Sequence, residues 1–236
     1  MKIEILYPEI CYLYGDLMNI EYLRRCIPAA EVVRTSLKTR PAFLDGGVDM
    51  VYLCSMTERA QELVIDALRP HTEKIKELID GGTIFLATGN ALEIFIKDIE
   101  NEDGSKLEAL GLFDLTAKRR MTDRYNALYL GKFRDIDIVG LKSQFAHAYG
   151  DDHDPLFITM RGAGRSPGAI PEGIRKNNFM ATYVLGPLLI MNPPFTKYIM
   201  GLLGAGDLPL AYEKAAMDSY ELRLKEYSDP KRGFDY

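Results

Sequence analysis

Residues 81–99, GGTIFLATGNALEIFIKDI, have the form in which an α/β protein presents a reactive side chain. The short apolar stretch from Thr83 to Ala87 reads as a buried strand. Thr88, Gly89 and Asn90 make a turn, and the apolar spacing after them predicts a helix. The first residue of such a turn projects from the sheet edge, and the N–H groups behind it point at whatever sits above. A Ser or Cys there would be a nucleophile. This chain has Thr88, which also suits an ordinary βα turn as N-cap.

Other residues could contribute chemistry. Cys54 ends the apolar run MVYLC, and a Cys54–His147 pair would supply a thiol and a base. The same residues also fit a small buried cysteine and a loop histidine. His71 has no partner at useful spacing. Asp151-Asp152-His153-Asp154 lacks further ligands at metal-site spacing and reads as a solvated acidic loop, so no metal and no cofactor are expected. Cys11, Cys26 and Cys54 form no CxxC motif, and an odd count fits a reducing, cytoplasmic setting.

The elements that must position these residues alternate over the first hundred positions. Ile3–Tyr7, Glu31–Leu37 and Met50–Cys54 read as strands, and Leu17–Cys26 as a helix. A long amphipathic helix follows, with Leu63, Ala67 and Leu68 on one face, broken by Pro70. This βαβ order predicts a doubly wound, mostly parallel sheet flanked by helices. Between Gly111 and Val139 shorter strands suggest an antiparallel extension. Residues 150–173 are rich in Gly, Pro and Asp and read as loop. Ala181–Leu185 returns as a core strand, and helices are expected over Phe195–Leu203 and Leu208–Tyr227. Residues 1–227 thus read as one domain, and 228–236, SDPKRGFDY, as a mobile tail.

Of the 236 residues, 47% are hydrophobic and 27% charged, a globular balance. The net charge of −5 argues against nucleic acid as partner. No run is long enough for a membrane span, and the opening MKIEILYP reads as a strand rather than a signal peptide.

Several segments, taken in order, resemble one family. Tyr14-Gly15-Asp16-Leu17-Met18-Asn19-Ile20, followed by Leu23-Arg24, resembles Y-x-D-x-G-N-I-x-x-L-R. Leu53 to Glu62, LCSMTERAQE, resembles a loop reading G-G-G-S-D-R-E-Q. GSKLEALGLFD (Gly104–Asp114) and VGLKSQFAHAY (Val139–Tyr149) resemble G-x-x-L-x-G-L-G-I-x-D and V-G-F-E-N-H-x-G-x-T-Y. Ala181 to Leu189, ATYVLGPLL, resembles G-T-Y-L-H-G-P-x-L. These stretches belong to class I glutamine amidotransferases of the cobyric acid synthase type, in particular the glutaminase subunits of lipid II isoglutaminyl synthases, which act on a peptidoglycan precursor. The resemblance implies a flavodoxin-like class I fold, a glutamine-like small molecule as ligand, and a Mur ligase-like ATP-dependent synthetase as partner.

The departures fall on the chemistry. The family motif C-G-G-Y-Q stands here as Thr88-Gly89-Asn90-Ala91-Leu92, and the histidine of Y-L-H-G-P falls on Leu185. A threonine hydroxyl is a weak nucleophile, and leucine cannot take a proton. Cys54, Ser55 and Met56 occupy a loop where three glycines would free backbone N–H groups for an oxyanion. Asp16 matches the acidic partner of the missing histidine. Arg59 and Gln61 match the loop, and Arg124 matches an arginine that holds the substrate carboxylate. With Gly89, Cys54 and Ser55 they form the implied substrate site. Capping or a surface ion pair would equally suit Asp16 and Arg59. Three functions stay open: a catalytically degenerate subunit, a glutaminase with the relocated Cys54/His147 pair, or a small-molecule binding protein.

Overall fold

The computed structural model describes residues 1–150 and 154–234. It opens with β1 (Lys2–Leu6), α1 (Met18–Cys26), β2 (Glu31–Thr35), β3 (Met50–Leu53), α2 (Glu58–Leu68), α3 (Thr72–Asp80) and β4 (Ile84–Thr88). Ten strands follow: β5 (Ile96–Glu100), β6 (Lys106–Glu108), β7 (Phe113–Arg119), β8 (Tyr125–Phe133), β9 (Ile136–Gln144), β10 (Ala146–Tyr149), β11 (Phe157–Arg161), β12 (Pro171–Glu172), β13 (Ile174–Lys176) and β14 (Phe179–Thr182). The chain closes with α4 (Leu188–Met191), α5 (Pro193–Leu202) and α6 (Glu213–Ser228).

The α/β reading holds. The main sheet runs β13-β14-β4-β3-β1-β2, parallel except for the β13–β14 pair. Every residue of β3 and β4 is buried, as strands covered on both faces require. β2, at the edge, leaves Glu31 and Arg34 exposed. Two four-stranded sheets, β10-β7-β5-β6 and β12-β11-β8-β9, supply the extension, which is mostly antiparallel. Pro70 lies in a 3₁₀ turn, Arg69–His71, between α2 and α3.

Several sequence expectations change. The helix expected after Thr88 is a 3₁₀ stretch, Gly89–Ile94, followed by strand β5. Ala91, Leu92, Ile94, Phe95, Ile96 and Ile99 are all buried, so this segment has no solvent face for an amphipathic helix. Phe95 and Phe113 pack around Phe179, with ring centroids 5.0 and 4.8 Å from it, and join the new strand region to the main sheet. In α2 the buried face is Ala60, Gln61, Val64, Ile65 and Leu68, and Leu63 points outward. Residues 150–173 contain β11 and β12, because Phe157 packs inward and β11 pairs with β8. The last core strand is Phe179–Thr182, and residues 183–185 run beyond it.

The expected mobile tail is docked as far as residue 234. Phe234 is buried with Leu128, Leu130, Val139, Tyr220 and Tyr227, and its carbonyl accepts the Leu128 N–H at 2.8 Å. Arg161 clasps the same segment. Its Nη1 donates to the carbonyls of Tyr227 (2.5 Å) and Asp229 (2.7 Å), and its Nη2 to that of Arg232 (2.6 Å). The guanidinium also lies 4.2 Å from the Phe234 ring centroid. Among the described residues no helix is long and apolar enough to cross a membrane. Because charged hydrogen bonds are the strong ones, we expect Arg161→Ala to lower unfolding stability by roughly 2 kcal/mol in urea melts. Phe234→Ala should lower it through lost packing, whereas an unchanged midpoint in both variants would mean that the segment is not docked.

Candidate functional site

Parallel pairing brings the candidate residues to one sheet edge. Leu53 pairs with Ala87, so Cys54 and Thr88 follow at the C-terminal ends of adjacent strands. Thr182 of β14 pairs with Thr88 from the other side. Beyond β14 the chain continues to Leu185, whose N–H and C=O exchange hydrogen bonds with Leu141 at 2.8 and 3.1 Å. This places the Leu185 side chain against Gly89. A Cβ built on Gly89 would stand 3.1 Å from Leu185 Cδ2 and 2.6 Å from Ser55 Oγ, and the backbone φ there is +62°. Only glycine fits that turn.

Asp16, which follows the 3₁₀ turn Leu13–Gly15, organises this edge from below. Its Oδ2 accepts the Thr88 hydroxyl at 2.6 Å and the Ser55 hydroxyl at 3.1 Å. Tyr52 donates its hydroxyl to the Asp16 carbonyl at 2.8 Å and stands 3.1 Å from Thr88 Oγ1. Asn19 Nδ2 donates to Tyr52 at 2.9 Å and reaches Asp16 Oδ1 at 3.4 Å, while its Oδ1 accepts the Leu189 N–H. All five side chains are buried. Thr88 makes no side-chain cap, because its hydroxyl goes to Asp16 instead.

A cavity of about 350 Å³ lies beside this network, with Ser55, Asn90, Glu93, Arg119, Arg124 and Phe145 among its walls. Thr88, Cys54 and Leu185 do not line it. Asn90 spends its side chain on the loop after β3, accepting the Met56 N–H at 3.0 Å and donating to the Met56 carbonyl at 2.8 Å. The Met56 N–H is therefore unavailable to an oxyanion.

No protein-family model matches the chain. It is 24% identical over 190 residues to the lipid II isoglutaminyl synthase (glutamine-hydrolyzing) subunit GatD of Staphylococcus aureus strain N315, over 80% of this chain and 78% of that one. A solved glutamine amidotransferase superposes with a TM-score of 0.55 at 14% identity, over 86% of this chain and 98% of that structure. Another, from Thermotoga maritima, superposes with a TM-score of 0.51 at 11% identity, over 94% and 92%. This chain is glutamine amidotransferase-like.

Within this amidotransferase-like chain the residues singled out from sequence separate into groups. Asp16, Ser55, Thr88, Gly89 and Leu185 come together. Gln61 is buried behind the cavity, where its Nε2 donates to Glu93 at 2.9 Å and to the Asn90 carbonyl at 2.8 Å, and its Oε1 accepts from Arg119. Arg124 reaches the cavity with its guanidinium 4.3 Å from the Phe145 ring centroid. Arg59 does not reach it, because the first turn of α2 directs this side chain to solvent.

The relocated pair is not assembled. The Cys54 thiol is buried and donates to the Cys11 carbonyl at 2.8 Å, and burial pushes its pKa well up, away from the thiolate. His147 belongs to β10 of another sheet, where Nδ1 is 3.2 Å from Gln144 Nε2 and the ring packs edge-on against Tyr125. Burial, and then the Lys142 charge, lower its pKa. His71 sits in the turn between α2 and α3. The Asp151-Asp152-His153 part of the acidic run lies outside the described residues, and among the described residues no cluster could hold a metal.

Sequence reasoning missed Tyr52, Glu93 and Arg119. Glu93 had a signal, a lone charge in the apolar stretch ALEIFI. Two buried carboxyls have raised pKa values. Burial lifts Asp16 to about 6 against hydrogen bonds from Thr88, Ser55 and Asn19. Burial lifts Glu93 to about 7 against Gln61 and Arg119. The native state therefore holds protons that the unfolded chain has released, and stability falls as pH rises through roughly 4 to 7. We expect Asp16→Asn and Glu93→Gln each to flatten that fall by roughly 1–3 kcal/mol in urea melts at pH 5 and 8. Equal slopes in wild type and variants would contradict the burial of these charges.

Proposed function

We propose that this chain is an amidotransferase-like subunit that has lost the glutaminase step and acts beside a Mur ligase-like, ATP-dependent synthetase. The observation that carries the reading is the commitment of the Thr88 hydroxyl to Asp16 inside a closed, buried set, at the position where the family places a thiol nucleophile. Leu185 offers no base, and two donors near Thr88 are already engaged, the Ser55 hydroxyl by Asp16 and the Met56 N–H by Asn90 Oδ1. The strand order β2-β1-β3-β4-β14 supports the flavodoxin-like class I arrangement as part of this reading. The proposal includes a cytoplasmic setting and a role in peptidoglycan synthesis; the name of the GatD relative, a lipid II isoglutaminyl synthase subunit, supports the latter.

A docking face can outlast the chemistry, because standard interfaces of about 800 Å² per partner rest on packing rather than on a nucleophile. We expect the isolated protein to release no ammonia from glutamine above background. Thr88→Cys alone should stay inactive, since Leu185 leaves a thiol without a base. Turnover that disappears in Thr88→Ala would overturn the reading. We further expect affinity purification from the native host to recover a Mur ligase-like protein in stoichiometric amount. Recovery of this chain alone across repeats would count against the subunit role and favour a protein that works by binding a small molecule.

A further inference from the structure

Helix α6 carries apolar side chains on two sides. Met217, Tyr220, Leu224 and Tyr227 face inward, where Tyr220 and Tyr227 are buried with Leu128, Leu130 and Val139. A second series runs along the outer side: Tyr212, which precedes the helix, then Ala215, Ser219, Leu222 and Glu226, at alternating steps of three and four residues. That spacing keeps side chains in line on one helix face, as in a helix–helix seam. Leu222 is 68% exposed and Tyr212 69%, so nothing in the described chain covers this seam. A helix that presents apolar side chains on both faces is built to pack on both.

Beside the seam lies a groove of about 330 Å³ between α6 and α1, with Met18, Tyr22 and Ile190 as apolar walls and Ala215 and Ala216 as its α6 side. The small alanines leave this recess unfilled. Leu222 stands six to seven residues further along the same helix, about 10 Å at 1.5 Å per residue. An apolar projection and an apolar recess thus lie on one face, on either side of Ser219. A two-fold axis through Ser219 of an antiparallel helix pair brings them together, because it sets position 216 against 222 and 212 against 226. The charges match under the same operation. Arg25 donates to the Tyr212 hydroxyl at 3.1 Å, lies over that ring, and pairs with no carboxylate among the described residues. Glu226, half-exposed and 3.3 Å from Arg232, is the residue that the two-fold carries to Tyr212 and so to Arg25.

We propose that this face of α6 associates with a second copy of the chain. The two α6 helices pack antiparallel, each Leu222 enters the other's groove beside Ala216, and each Glu226 meets the other's Arg25. Ala215 and Ser219 are small enough to let the helices approach closely. One helix and one groove wall make an interface below the roughly 800 Å² per partner of a standard complex, so the pair forms in the micromolar range. The inference stands independently of the proposed subunit role.

Sedimentation equilibrium of the full chain between about 1 and 200 μM tests this. We expect the mass to rise from one copy towards two, and Leu222→Glu to weaken association by about tenfold or more. Leu222 is exposed, so the variant should keep the wild-type circular dichroism. Ser219→Cys tests the position of the axis. Because Cys11, Cys26 and Cys54 are buried, oxidation by diamide should cross-link two copies through position 219, whereas Lys214→Cys, off the seam, should not cross-link. A single-copy mass at the top of the concentration range, unchanged association in Leu222→Glu, or equal cross-linking at positions 214 and 219 would each overturn the assignment. A single-copy wild type whose recovery of a Mur ligase-like protein is lost in Leu222→Glu would also overturn it, and would give the face to that partner.

Discussion

The buried carboxylate of Asp16 is the constraint on which the site edge depends. Removing a charge from water costs several kcal/mol unless the protein supplies partners. Here the partners come from separate parts of the chain: Thr88 from β4, Ser55 from the loop after β3, and Asn19 from α1. Asn19 passes the constraint on to Leu189 at the start of α4. One acidic group therefore sets the relative position of two central strands and two helices.

A second buried pair performs the same service on the far side of Thr88. Lys142 and Glu172 are fully buried, bonded to each other, and Lys142 also donates to the Gly164 carbonyl at 2.7 Å. Glu172 accepts the Thr182 hydroxyl and the Tyr183 N–H, both at 2.8 Å. These bonds hold the chain as it leaves β14, and the Leu141–Leu185 backbone pair fixes where it arrives. Leu185 is thus held rigidly in place against Gly89. Removing one member of such a buried pair is far more damaging than losing a surface ion pair, because the remaining charge has no water to turn to.

These constraints hold the C-terminal edge of the main sheet closed around Asp16. The hydroxyls of Thr88, Ser55 and Tyr52 all bond to Asp16, and those of Tyr52 and Thr88 also meet, so this edge is polar core. The adjoining cavity stays open because its walls belong to different elements: the start of α2, the turn after β4, and the strands β7 and β9.

The α/β class, the parallel order of the first strands, the break at Pro70 and the placing of Thr88 at the turn after a buried strand were legible in the sequence. Each rests on local pattern or residue identity, which the chain carries without folding. The helix expected after Thr88 was not legible, because Ile94, Phe95 and Ile96 suit a buried helix and a buried strand equally, and only packing against Phe113 and Phe179 selects the strand. Docking of residues 229–234 depends on Arg161, whose role as a clasp has no sequence signature. The burial of Thr88, the separation of Cys54 from His147 and the meeting of Glu93, Arg119 and Arg124 at one cavity likewise depend on contacts between distant segments. Local sequence specifies which groups are available, and long-range burial decides which of them line the cavity.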